Sequence, residues 1–310
     1  MATLLISDPL CLEHDAGPQH VESPRRLAVI ESALRELPPG VWRVTPNRAA
    51  TYDELIAAHD ADYVKRVLAL SEKSASLDEE THLGPRSVDA ARHAAGACLW
   101  LIDALLDGNA RRGFALVRPP GHHASARAGG GFCVFNNIAI AACAALRRGL
   151  SRVLIVDWDV HHGNGTQAIF YERSDVYFFD VHQDGLYPDT GAATETGEGA
   201  GRGYTRNIPL MPLSSDDDYL RVLEKELPPI CDSYRPQIIL VSCGFDAHEG
   251  DSEGGMSLSA DGYAQMTRLV QRLADRHAQG RLGLILEGGY SLSALPACAA
   301  ATLFALSENR

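Results

Sequence analysis

The 310-residue sequence has no Cys-x-x-Cys pair, no basic run longer than two residues, no internal repeat, and no apolar stretch near the roughly 18 residues of a membrane span. Each lack excludes something. The seven cysteines, at 11, 98, 133, 143, 231, 243 and 298, are odd in number and widely spaced. Several sit inside apolar runs such as "AIAACAAL", so they read as small buried hydrophobes in a reducing compartment, neither a disulfide framework nor a thiolate metal site. Lys and Arg total 28 against 40 Asp and Glu, a formal charge of −12. The pairs Arg25-Arg26, Arg111-Arg112 and Arg147-Arg148 are scattered, which excludes sustained binding of a nucleic-acid backbone and weakly favours cationic ligands. The start, "MATLLISDPL", lacks the basic and apolar regions of a signal peptide, so a soluble cytoplasmic protein with no membrane partner is expected.

No linker interrupts the chain. The Gly-, Thr- and Glu-rich stretch 187–204 lies between strand-like segments and reads as a surface loop, so one domain over residues 1–310 is expected. Six short apolar runs end in Gly, Asp or Pro signals: 4–8, 114–121, 152–159, 176–182, 238–246 and 282–289. Helical spacing occupies 24–37, 60–73, 86–107, 137–148, 216–234, 260–278 and 292–306. Apolar strands alternating with helices imply an α/β fold with a mostly parallel sheet covered on both faces, whose ligand site lies beyond the strands' carboxyl ends. The unusual polar residues all follow strand-like runs.

The segment "DWDVHHGNG" at 157–165 packs carboxylates and imidazoles behind "RVLIV". Such a cluster is costly to bury without a cation. Strand alternation would put Asp157, Asp159 and His161 on one face, and a carboxylate from a neighbouring strand would complete three ligands, the number that leaves catalytic zinc an open position. "RPPGHHA" sets His122 and His123 on a turn, suited to general acid–base work, with Asp157 or Asn164 available to orient the rings. "SCGFD" ends on Asp246, and "LEGGY" places Tyr290 where its hydroxyl could meet an oxyanion. Capping, turn and packing roles would also account for each of these residues taken singly.

Together, "RPPGHHA…GGGFCVFNNIAIAA", "DWDVHHGNGTQAIF", "GFDAHEGD" and "EGGY" resemble the signature segments of the zinc-dependent histone deacetylase superfamily, in the branch of class II deacetylases and bacterial acetylpolyamine amidohydrolases. The resemblance implies the arginase–deacetylase fold with a central eight-stranded, mostly parallel sheet. It implies one Zn²⁺ on Asp159, His161 and Asp246, His122 and His123 as tandem histidines backed by Asp157 and Asn164, and Tyr290 as oxyanion donor. Phe132 and Tyr187 would wall a narrow channel with Gly131 along it. A K⁺ site near Asp157, Asp159, His161 and Asp180 is implied as well, with Asp180 standing where Ser is usual. Glu253 matches the gatekeeper position of polyamine-selective members, and Glu80 the acidic rim.

The implied activity is hydrolysis of an N-acetylated amine, either an acetyl-lysine side chain or an acetylpolyamine, to amine and acetate. Hydrolysis of another small amide or ester, or silent binding of acylated amines, are the alternatives. An oligomer is compatible with the sequence.

Overall fold

The computed structural model of the chain describes residues 2–308. Among the described residues ten strands are formed: β1 Thr3–Ser7, β2 Val41–Val44, β3 Ala75–Ser76, β4 His82–Leu83, β5 Arg112–Leu116, β6 Val153–Asp157, β7 Val176–Gln183, β8 Thr205–Leu210, β9 Ile238–Cys243 and β10 Leu282–Leu286. The α-helices among these residues are α1 Arg25–Ala33, α2 Tyr52–Leu55, α3 Ala61–Leu68, α4 Ser87–Leu106, α5 Asn137–Arg147, α6 Asn164–Phe170, α7 Asp216–Tyr234, α8 Ala260–His277 and α9 Leu295–Ser307.

Eight strands make one parallel sheet in the order β2-β1-β5-β10-β9-β6-β7-β8, and β3 pairs with β4 as a separate small antiparallel ribbon. Helices α4 and α5 pack on one face, while α1, α9, α8 and α7 form a layer against the other. This double cover explains why every residue of β1, β5, β6, β9 and β10 is buried and why those segments are continuous apolar runs. The α/β reading and the eight-stranded sheet are borne out.

The six strand-like runs are all strands. The two further strands of the sheet, β2 and β8, are its edges, where "VWRV" buries only Val41 and "TRNIPL" only Thr205 and Asn207, so neither carries a buried apolar run to detect. Two expected helices end early: 24–37 stops at Ala33 and 60–73 at Leu68. Helix α6 begins immediately after the metal-type motif and gives too short a window for periodicity to show.

Strand register decides where the polar residues arrive. Asp157 at the end of β6 is level with Ser242 on β9 and Asp180 on β7, and Cys243 is level with Leu286 on β10. The segments leaving β5, β10, β9 and β6 therefore emerge side by side at one rim of the sheet.

Candidate active site

Strand β6 ends at Asp157, so extended alternation does not continue through His161 as the sequence spacing suggested. The chain turns instead. Asp157 Oδ1 accepts from the Asp159 amide at 3.1 Å, and Asp159 Oδ1 accepts from the His161 amide at 3.0 Å, two successive side-chain-to-backbone turns that double the chain back. The i, i+2 pair still converges, through a turn rather than a pleat. Asp157 moves away from it: its Oδ2 meets His122 Nδ1 at 3.1 Å.

Asp159, His161 and Asp246 bring their ligand atoms within 4.8 Å of one another. His161 Nδ1 lies 3.1 Å from Asp159 Oδ1 and 3.4 Å from Asp246 Oδ2. Burial opposes charge on His161, yet its hydrogen bond to Asp159 and the nearby Asp246 carboxylate raise its pKa to about 10. Asp159 is held below the usual carboxylate range because His122 and His161 outweigh its burial. Asp246 shifts upward, from burial and from the charge of Asp159.

This donor set fits a divalent cation. Asp246 Oδ1 is occupied by the Val160 amide at 2.8 Å, while Oδ2 is buried and has no hydrogen-bond partner. A lone carboxylate oxygen in that position is costly unless an ion takes it up. The neighbouring backbone leaves the room: a Cβ on Gly288 would stand 1.9 Å from Asp246 Oδ2 and 2.6 Å from Asp159 Oδ2. One imidazole and two carboxylates match the ligand types of zinc with three protein donors.

The tandem histidines sit beside this set and differ electrostatically. Their rings are 4.1 Å apart. Burial opposes the charge on His122, but Asp159 and Asp157 prevail and hold its pKa well above the ordinary value. His123 is driven well below, by burial first and then by the charges of His122 and His161. Its Nδ1 contacts Asn164 Oδ1 at 2.7 Å, so Nδ1–H donates and Nε2 is left as the basic nitrogen. Asn164 opens α6, and the close packing there explains the glycines of "HHGNG". A Cβ on Gly165 would come within 2.5 Å of the backbone carbons of His123 and Ala124.

Above the cluster is a pocket of about 190 Å³ lined by Glu80, His123, Gly131, Phe132, His161, Leu186, Tyr187, Glu253 and Tyr290. Every channel position expected from the sequence is there, together with Leu186, which was not. Tyr187 meets the His123 ring edge-on at 5.1 Å, and Phe132 meets Tyr290 at 5.8 Å. The Phe132 wall is fastened from outside the pocket: Asp78 Oδ2 accepts from the Gly131 amide at 3.2 Å and Thr81 Oγ1 from the Phe132 amide at 3.0 Å. A wider cleft, about 710 Å³, lies against α6, and its lining includes Asn164 but none of Asp159, His161 and Asp246. Asp180 lies apart from the pocket, its carboxylate accepting from the Gly163 amide at 2.9 Å and meeting His182 Nδ1 at 2.6 Å. It is level with Asp157, whose own pKa is raised by burial and further by Asp180 and Asp159 against the pull of His122.

Several supporting residues carry no motif that sequence reasoning assigned a role. Fully buried Arg26 stacks over the Tyr290 ring at 4.8 Å and donates to the carbonyls of Glu287 and Gly289. It is paired with Glu22, which also binds Arg118 and lies 3.2 Å from His14. Glu287 Oε2 accepts from the amides of Gly121 and His122, at 2.6 and 3.1 Å, fixing the histidine turn. Burial raises the Glu287 carboxyl to about 7 despite the nearby charge of His122. The segments "HVESPRRL" and "LEGGY" contain the charged members, but only a buried position would have marked them as functional.

The histone deacetylase domain family model matches residues 20–306. The chain is 39% identical to the histone deacetylase-like amidohydrolase of Pseudomonas aeruginosa, over 99% of this chain and 87% of that protein. It is 39% identical to a probable deacetylase of Archaeoglobus fulgidus, over 96% and 84%. Among solved structures, the HDA15 HD domain superposes with a TM-score of 0.93 at 37% identity, covering 99% of this chain and 88% of that one.

Proposed function

Since the chain belongs to the histone deacetylase family, we propose that it is a zinc-dependent deacetylase that hydrolyses N-acetylated amines to free amine and acetate, with acetylpolyamines as its preferred substrates. The observation that carries this reading is the orphaned Asp246 Oδ2, aimed into a three-donor cluster under a pocket that also holds His123 and Tyr290.

Asp159, His161 and Asp246 would hold the Zn²⁺, which when bound would supply Lewis acidity toward the acetyl carbonyl and the attacking water. The chain's own groups do the rest. His123, neutral and anchored through Nδ1 by Asn164, accepts the proton of the water at Nε2. The same proton, carried on imidazolium, leaves with the amine. His122, kept charged by Asp157 and Asp159, adds a positive charge next to the reacting carbonyl. Tyr290 donates its hydroxyl to the developing oxyanion, and burial holds that hydroxyl's pKa well above its ordinary value, so it keeps its proton. Phe132 and Tyr187 wall the acyl-bearing arm, and the Gly131 backbone lies along it.

Substrate preference rests on the rim. Among the described residues the Glu253 carboxylate accepts from the Ser252 hydroxyl, at 3.0 Å, and Glu80 is a second acidic residue lining the same pocket. A polyamine brings a second ammonium to that point, whereas an acetyl-lysine peptide brings neutral backbone. Asp157, Asp159, His161 and Asp180 are the proposed K⁺ set, supported by two buried carboxylates side by side, Asp157 at the end of β6 and Asp180 within β7. A single domain is proposed, since one apolar cluster runs from Leu4 to Leu306.

The test is acetate release from acetylputrescine, acetylspermidine and an acetyl-lysine peptide, before and after chelation and zinc return. Release that depends on zinc and favours the polyamines is expected. Undiminished release after thorough chelation would remove the metal from the reaction, and a preference for the peptide would remove the polyamine assignment.

A further inference from the structure

The loop after β9 carries the rim glutamate and the loop after β10 carries the oxyanion tyrosine, and one buried carboxylate stands between them. Asp251 Oδ1 accepts from the Glu253 amide at 3.1 Å. Its other oxygen, Oδ2, accepts from the amides of Tyr290 at 2.6 Å and Ser291 at 2.8 Å. Asp251 is 8% exposed, and all three donors belong to backbone. Its own amide is tied to the His248 carbonyl at 2.9 Å, which fixes the carboxylate relative to the turn that follows Asp246.

A carboxylate offers about four acceptor positions, so it can hold donors from two segments at once, which a neutral amide of the same shape cannot do. We propose that Asp251 is a positioning residue that locks the substrate-selecting segment at Glu253 to the catalytic tyrosine, so that selectivity and turnover are set by one hinge pin. This rests on the roles given above to Glu253 and Tyr290. Among the described residues, the hydrogen bonds that Glu253 and Tyr290 give the Asp251 carboxylate come from their backbone amides and not from their side chains. Asp251 acts through their backbone, by fixing where each side chain starts.

The consequence is a pattern of non-additivity. Asp251→Asn keeps the shape but replaces one accepting oxygen by an amide N–H₂ that faces backbone donors, so the link that holds the two loops in one relative position is broken. Losing it should lower kcat on acetylputrescine by about tenfold or more, and shift the kcat/KM ratio from acetylpolyamine toward acetyl-lysine peptide by a comparable factor. Residues that act as a unit do not add: in a Tyr290→Phe background the same change should cost kcat less than about threefold, and in a Glu253→Leu background the ratio should move less than about threefold.

The experiment measures kcat and KM for both substrates in the wild type, the three single variants and the two double variants, with urea unfolding midpoints alongside. Asp251→Glu, which keeps the charge and displaces it by one methylene, is read in the same way if Asp251→Asn does not fold. Unchanged kcat and ratio, losses that add in full in both backgrounds, or a lowered midpoint with normal kinetics would each overturn the proposal. Failure of both variants to fold would make Asp251 a folding residue and overturn it too. If Tyr290→Phe turns over normally, or Glu253→Leu leaves the ratio untouched, the functional reading itself falls. That outcome is visible in variants that retain Asp251.

Discussion

Tyr290 and Glu22 show how differently one side chain can matter. Tyr290 keeps its proton because it is buried, and the Arg26 guanidinium over its ring, though it favours the phenolate, does not outweigh that burial. A retained O–H is what an oxyanion donor requires. Tyr290→Phe should therefore lower kcat by about two to three orders of magnitude with the metal content unchanged, the scale of one lost oxyanion-hole donor. Parallel turnover assays and metal analysis check this, and wild-type turnover would exclude the tyrosine from the chemistry. Glu22 never reaches the pocket. It stabilises two fully buried guanidiniums, Arg26 and Arg118, and its own pKa is well below the usual range because Arg118 and His14 overcome its burial. Removing one partner of a buried pair leaves charge without compensation, so Glu22→Gln should cost about 3–5 kcal/mol of stability, read from urea unfolding.

At the scale of elements, the join between α3 and α5 depends on a neutral imidazole. His59 lies just before α3, where its Nδ1–H donates to the Ser125 carbonyl at 2.9 Å and its Nε2 accepts from the Asn136 amide at 2.9 Å. Asn136 in turn caps α5, accepting from the Ala139 amide. Only the neutral ring can donate at one nitrogen and accept at the other, and burial lowers its pKa to about 4. The unfolded chain, with the ordinary histidine value near 6.5, binds the proton first as pH falls. Stability from this join is therefore complete above about pH 6.5 and is lost progressively down to about pH 4, roughly 3 kcal/mol in all. Urea midpoints across that window should fall more steeply for the wild type than for His59→Gln. Equal slopes would show that the ring is already charged in the folded protein.

Over the whole molecule, a formal charge of −12 and two rim carboxylates create a field that draws cations to the pocket mouth. Salt screens this attraction, with a Debye length of about 8 Å at physiological strength. Raising the salt should weaken kcat/KM for acetylspermidine more than for a neutral acetamide, and an equal effect on both would remove electrostatics from selection. The sequence by itself determined the six inner strands, because burial on both faces demands unbroken apolar runs. It also carried the residue types proposed for metal binding and catalysis, because Asp, His and Tyr at strand ends have few other uses in such density. The edge strands β2 and β8 were silent, since a half-exposed strand needs no such run. Only the tertiary structure decided that Asp157 turns to His122 while Asp159 turns to Asp246, that Asp251 spans two loops, and that Arg26 stacks over the Tyr290 ring. The physical reason is distance along the chain. Local pattern records what each residue's own strand or helix requires, whereas these contacts join segments 35 to 264 residues apart, and it is the register of the parallel sheet that brings their ends together.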